Sequence, residues 1–174
     1  MTLRKDADDF LYFAYGSNMS VSKLTAPTRA PSARLICSGY VTARRLTFDK
    51  ASKDGSGKCD CELTVNSDDR VYGVVFSIHT IDRPSLERAE GNRHGYDATQ
   101  IQVHTPAGPI SALTYIATNK KDGLLPHHWY KQHVLDGALA ATLPADYVNA
   151  IANIGSTPDR EEIRAARESA IQHD

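Results

Sequence analysis

The chain has 174 residues, enough for one domain with a real hydrophobic core. Hydrophobic residues make up 41% and charged residues 24%, the balance of a folded rather than a disordered chain. With 20 Lys and Arg against 21 Asp and Glu, the net charge of -1 excludes the basic footprint of a nucleic-acid binder.

No apolar run approaches the roughly 18 residues that a membrane helix needs. The opening Met1-Thr2-Leu3-Arg4-Lys5-Asp6 lacks the apolar core of a secretory signal. A cytoplasmic protein without nucleic-acid or membrane partners is therefore expected. Cys37, Cys59 and Cys61 are an odd number and do not suggest a disulfide scaffold. Cys59-Asp60-Cys61 has C-x-C spacing, not the C-x-x-C of zinc sites, and alternation would put both thiols on one strand face.

Residues 1–9 are polar and read as a loose end. Phe10 to Tyr15 is an unbroken apolar and aromatic run, hence a short buried strand, and Gly16-Ser17-Asn18 turns it sharply. Ser20 or Ser22 caps a short helix through Leu24, which Pro27 ends. Ala33 to Phe48 reads as two short strands or one bent strand, broken at Gly39. Asp49 to Lys58 reads as an exposed loop, Cys61 to Val65 as a strand and Asn66 to Asp69 as a turn.

Val71 to Ile78 is the strongest strand pattern, apolar enough to be buried on both faces. Asp82-Arg83-Pro84 starts a helix, with Asp82 as the cap, and Gly91 ends it after Glu90. Gln100 to His104 and Ile110 to Ala117 read as a hairpin around Pro106 to Pro109. His127 to Leu143 and Pro144 to Ile154 carry helical spacing, and Pro158 to Ile171 reads as a charged, more exposed helix or tail. Strands crowd the first two-thirds and helices the last, which predicts an α+β fold. A single domain over 1–174 is expected, with its core at about 10–155 and a C-terminal helix or tail over 156–174.

Glu90 is the most suggestive carboxylate. At the C-terminal end of a helix it faces the negative end of the helix dipole, and apolar neighbours would add desolvation. Both favour the protonated form, which suits a proton-transfer group near neutral pH. The competing reading is a solvated helix-end glutamate, and Glu87 lies on nearly the same face. Ser17 stands in Tyr-Gly-Ser-Asn rather than the Gly-x-Ser-x-Gly of a nucleophile elbow, so a hydrogen-bonding role competes with a nucleophilic one. Tyr12, Tyr15, Tyr96, Tyr115 and Tyr130 read singly as core residues with hydroxyls near solvent. No histidine pair has metal-ligand spacing and no phosphate loop is present, so neither metal nor cofactor is expected.

Phe10-Leu11-Tyr12-Phe13-Ala14-Tyr15-Gly16-Ser17-Asn18, Val71-Tyr72-Gly73-Val74-Val75-Phe76 and Leu86-Glu87-Arg88-Ala89-Glu90-Gly91 together resemble the γ-glutamylcyclotransferase family. Gly95-Tyr96, Tyr115 to Asn119 and Pro126 to Lys131 extend the resemblance, which spans about residues 10 to 155. It implies a small, mixed, closed β-barrel with flanking helices. It implies Glu90 as the catalytic acid and base, and Tyr12, Tyr15, Gly16, Ser17 and Asn18 as the loop holding a γ-glutamyl group. It also implies Tyr115 and Tyr130 as substrate contacts, no cofactor, and a homodimer.

The implied reaction is intramolecular cyclisation of γ-glutamyl amino acids or amides to 5-oxoproline. Glutathione, or a γ-glutamyl group protecting a biosynthetic intermediate, stays open as the substrate. A non-catalytic γ-glutamyl-binding protein and a Ser17 hydrolase are the rivals. The turn Asn92 to Asp97 and residues 120–129 depart from relatives, so the leaving group is not specified.

Overall fold

A computed structural model describes residues 6–171; residues 1–5 of the expected loose N-terminal end and residues 172–174 of the expected tail lie outside them. Among the described residues, seven strands and five α-helices run in the order β1 (Asp9–Ala14), α1 (Val21–Leu24), β2 (Arg34–Thr42), β3 (Arg44–Ala51), β4 (Gly57–Leu63), β5 (Arg70–His79), α2 (Arg83–Glu90), β6 (Tyr96–Thr105), β7 (Gly108–Ala117), α3 (His128–Ala140), α4 (Ala145–Ala152) and α5 (Glu162–Ser169). Short 3-10 turns at Ser17–Met19 and Thr80–Asp82 precede α1 and α2.

Five strands close a barrel in the order β1-β5-β2-β6-β7, and β3-β4 form a separate two-stranded sheet. Most barrel pairs are antiparallel, but β1 and β7 meet in parallel at Tyr12 and Leu113, so the barrel is mixed. Closure leaves the barrel no free edge. β5 lies between β1 and β2, and Val74, Val75, Phe76, Ser77 and Ile78 are all fully buried. That is why its sequence reads as a continuous apolar run instead of an alternating one.

Several boundaries differ from the sequence reading. β1 begins at Asp9, which is buried because it accepts from Arg34 Nη2 at 2.8 Å. The break after β2 falls at Ala43, whose φ is 55°, and not at Gly39. Gly39 stays in the strand, where a Cβ would sit 2.8 Å from the His104 carbonyl of β6. The expected loop over 49–58 is mostly hairpin, since β3 runs to Ala51 and β4 starts at Gly57. In β4 both thiols are buried, but so is Asp60 between them. Asp60 accepts from the Ala117 N–H at 2.9 Å and pairs with Lys120 at 3.0 Å, so strict alternation fails there.

Ser20 is the cap of α1. α2 starts without a side-chain cap, because the Asp82 carboxylate accepts from Ser32 N at 2.8 Å instead. It ends as its sequence requires: Gly91 takes φ 67°, a left-handed conformation that glycine adopts without a Cβ clash.

Candidate functional site

One end of β1 carries the site. Tyr12 and Tyr15 leave the strand, and the chain then tightens into the 3-10 turn that presents Ser17 and Asn18. α2 ends beside it, so Glu90 sits in the last turn of that helix, with a side chain 17% exposed. β7 contributes Tyr115 and α3 contributes Tyr130. All eight residues singled out from the sequence line one cavity of about 300 Å³: Tyr12, Tyr15, Gly16, Ser17, Asn18, Glu90, Tyr115 and Tyr130. Two further residues complete its wall, Cys59 from β4 and Tyr96 from β6. Glu87, the other glutamate of α2, points elsewhere and pairs with Arg83 at 2.9 Å.

The carboxylate of Glu90 is held from two sides. Asn18 Nδ2 donates to Glu90 Oε1 and also to Tyr12 OH, the latter at 3.2 Å. Arg29 Nη1 lies 3.4 Å from Glu90 Oε1 and donates to Asn18 Oδ1 at 3.2 Å. Arg29 sits in the connection after α1, where no periodicity or motif marks it, and only the fold brings it to Glu90.

The tyrosines form a frame. Tyr15 OH donates to the backbone carbonyl of Tyr115. Tyr96 OH donates to the Cys59 carbonyl at 2.6 Å, while the Cys59 N–H donates to Tyr130 OH at 3.1 Å. One residue of β4 is thus held at both its N–H and its carbonyl. Burial, and then the Glu90 charge, hold the Tyr12 phenol far above its ordinary 10.0; burial is also the largest cause at Tyr15, Tyr96 and Tyr130. All four are neutral hydroxyls at physiological pH. Burial pushes the Cys59 thiol up to about 12, so it is not a thiolate nucleophile.

Tyr115 differs from the others. The residue lines the cavity with Glu90, and its hydroxyl is buried with no hydrogen-bond partner among the described residues. A buried, unpaired hydroxyl is costly to a fold.

A second compartment opens outward from the first, sharing Ser17, Glu90, Tyr96 and Tyr130. Its wall adds Lys23, Arg29, Lys50, Lys58, Trp129 and Glu168. Tyr96 and Trp129 come from the two segments expected to differ from some relatives. The four cations carry no motif; Lys50 and Lys58 fall in what the sequence presents as an exposed loop. Among the described residues no histidine lines either compartment.

The AIG2-like family matches residues 70–151. A human γ-glutamylcyclotransferase is 31% identical over 148 residues, covering 82% of this chain and 77% of that protein. A bovine γ-glutamylcyclotransferase is 30% identical over 152 residues with the same coverage. A solved γ-glutamyl cyclotransferase structure superposes with a TM-score of 0.79 at 28% identity, covering 91% of this chain and 97% of that chain. A yeast cyclotransferase specific to glutathione has a TM-score of 0.59 at 11% identity, covering 83% of this chain and 94% of that one, a likeness of fold alone.

Proposed function

The chain belongs to the γ-glutamylcyclotransferase family, and on that premise we propose that it cyclises γ-glutamyl amides to 5-oxoproline, with Glu90 moving the protons. The observation that carries this reading is the contact between the two stretches of sequence that first suggested it: Asn18 of the turn donates to Glu90 of α2 at the wall of one small, tyrosine-framed cavity.

A γ-glutamyl amide contains its own nucleophile, the α-amine. The enzyme's main task is to hold the chain folded back so that nitrogen and γ-carbonyl meet. Glu90 accepts a proton from the α-ammonium. The freed amine attacks the γ-carbonyl carbon, forming the ring C–N bond, and the amide C–N bond to the leaving nitrogen breaks. Both protons lost by the ammonium end on that nitrogen: Glu90 returns one, and the second transfers as the tetrahedral intermediate collapses. Products are 5-oxoproline and a free ammonium compound.

Gly16, Ser17 and Asn18 line the cavity, and the first N–H groups of such a turn have no partner within it, which suits them to the developing oxyanion. The Tyr115 hydroxyl supplies a further donor to a substrate oxygen.

The test is incubation with a panel of γ-glutamyl amino acids, γ-glutamyl amines and glutathione, with 5-oxoproline as readout. Glu90→Gln should lose about 10²-fold or more in kcat. Full activity in that variant overturns the role of Glu90. A trapped acyl-enzyme on Ser17, abolished by Ser17→Ala, would point to hydrolysis instead.

A further inference from the structure

The outer compartment has a charge pattern that the cyclisation chemistry does not need. Lys50 and Lys58 are direct partners across the β3–β4 ladder. Like charges opposite one another on a sheet are destabilising, and long lysines ordinarily carry their heads out to water. Here both heads turn inward over aromatic rings: Lys50 Nζ lies 4.9 Å from the Tyr96 ring centroid, and Lys58 Nζ lies 4.5 Å from that of Trp129 and 4.6 Å from that of Tyr130. Gly95 leaves the room for this, since a Cβ there would stand 2.9 Å from Lys50 Cε. Burial, and at Lys50 also the Lys58 charge, disfavours the ammonium form of both.

The partners of the four cations fix what is left over. Arg29 faces Glu90 at 3.4 Å, Lys23 faces Glu168 at 3.6 Å, and Lys58 is matched by Asp54 at 2.9 Å. Lys50 has no ion-pair partner among the described residues. Once Glu90 takes a proton from the substrate, Arg29 loses its counter-charge as well. The scissile nitrogen must lie near Glu90, and the α-carboxylate of a leaving amino acid is two bonds from that nitrogen, within the neighbourhood of Arg29. A second acid group further along the leaving side chain would meet Lys50 and Lys58, which line the same compartment.

We infer that the outer compartment selects a leaving group with two acid groups: γ-glutamyl derivatives of amino dicarboxylic acids, whose side-chain carboxylate is clamped by Lys50 and Lys58. This rests on the γ-glutamyl reading of the inner cavity. The clamp makes Lys50 a specificity residue that contacts the leaving group and not the reacting atoms. An unpaired ammonium and its like-charged neighbour, both over aromatic walls, are relieved together when one carboxylate lies between them.

The test compares γ-glutamyl-glutamate with γ-glutamyl-glutamine, which match in shape and differ in one charge. The acidic substrate should have the higher kcat/KM by about tenfold, the equivalent of one modest charge-assisted contact. The ratio should fall towards one in Lys50→Met, return in Lys50→Arg, and shrink with added salt. Equal use of the two substrates, or a ratio unchanged in Lys50→Met, overturns the inference while leaving cyclisation standing.

If neither compound reacts, the proposed activity falls instead, and the clamp is read by calorimetric binding of both compounds to the unmodified protein. Tighter binding of the acidic one, lost in Lys50→Met, supports the clamp; equal binding or none overturns it. Thermal melting of Lys50→Met separates a lost contact from a lost fold.

Discussion

Asn18 and Glu90 are 72 residues apart in the chain, yet the amide of one donates directly to the carboxylate of the other. The amide orientation is set by its neighbours: Nδ2 also faces Tyr12 OH at 3.2 Å, and Oδ1 receives Arg29 at 3.2 Å. The turn after β1 and the end of α2 are therefore joined at the atom proposed to move protons.

That contact depends on Asn18 being an amide. Asn18→Asp would set a carboxylate against Glu90, and two close carboxylates cannot both be charged without cost. Cyclisation at neutral pH should fall further in Asn18→Asp than in Asn18→Ala, and the Asp variant should shift its pH profile upward. Matching profiles for the two variants would count against the contact.

Tyr115→Phe removes a buried hydroxyl that has no partner among the described residues. Its loss should leave the free protein as stable as before, or more stable by about 1 kcal/mol. Activity should nonetheless drop, because Tyr115 lines the same cavity as Glu90 and its hydroxyl is the proposed donor to a substrate oxygen. A fall in Tm without a fall in kcat/KM would show that the hydroxyl serves the fold instead.

Gly137 is where α3 rests on the turn after β1. A Cβ at this position would lie 2.7 Å from Met19 Cβ and 3.0 Å from Ser20 N. Gly137→Ala should push the helix away and cost about 1–3 kcal/mol. Because Tyr130 belongs to the same helix and Asn18 to the same turn, cyclisation should be impaired even at temperatures where the variant is fully folded. Activity and Tm measured side by side check this.

α5 is tied down through Glu168, whose carboxylate lies 3.7 Å from His133 Nε2 and 3.6 Å from Lys23 Nζ. His133 first, and then the charges of Lys23 and Arg167, hold it down to about 2 against an ordinary 4.5. A depressed carboxylate contributes stability above the unfolded value, and that contribution is lost as pH falls through the folded one. Glu168→Gln should be destabilised at pH 7 by on the order of 1 kcal/mol, after allowing for the carboxylate's partial exposure to solvent. The gap should narrow below pH 4.5 and vanish near pH 2. Urea unfolding across that range measures it, and a gap independent of pH would exclude the ion-pair origin.

The short-range features of this fold were legible in the residues. The apolar run of β1, the continuously apolar β5, and the stop of α2 at Gly91 each follow from pattern or capping within a turn or a strand. The placement of Glu90 at a helix end needed nothing more. What local chemistry could not reach was every feature made by register and closure. Asp60 is buried because β4 passes Ala117 and Lys120. Arg29 meets Glu90 because the connection after α1 folds back over the end of α2. Lys50 and Lys58 face each other because β3 and β4 pair in that register, turning an apparently solvated loop into a charged wall. Periodicity and caps act over a few residues, whereas the neighbours of a charge depend on which distant strands the closed barrel brings together. The residues of the inner cavity could thus be picked out from the chain, and the end proposed to receive the leaving group emerged only with the packing.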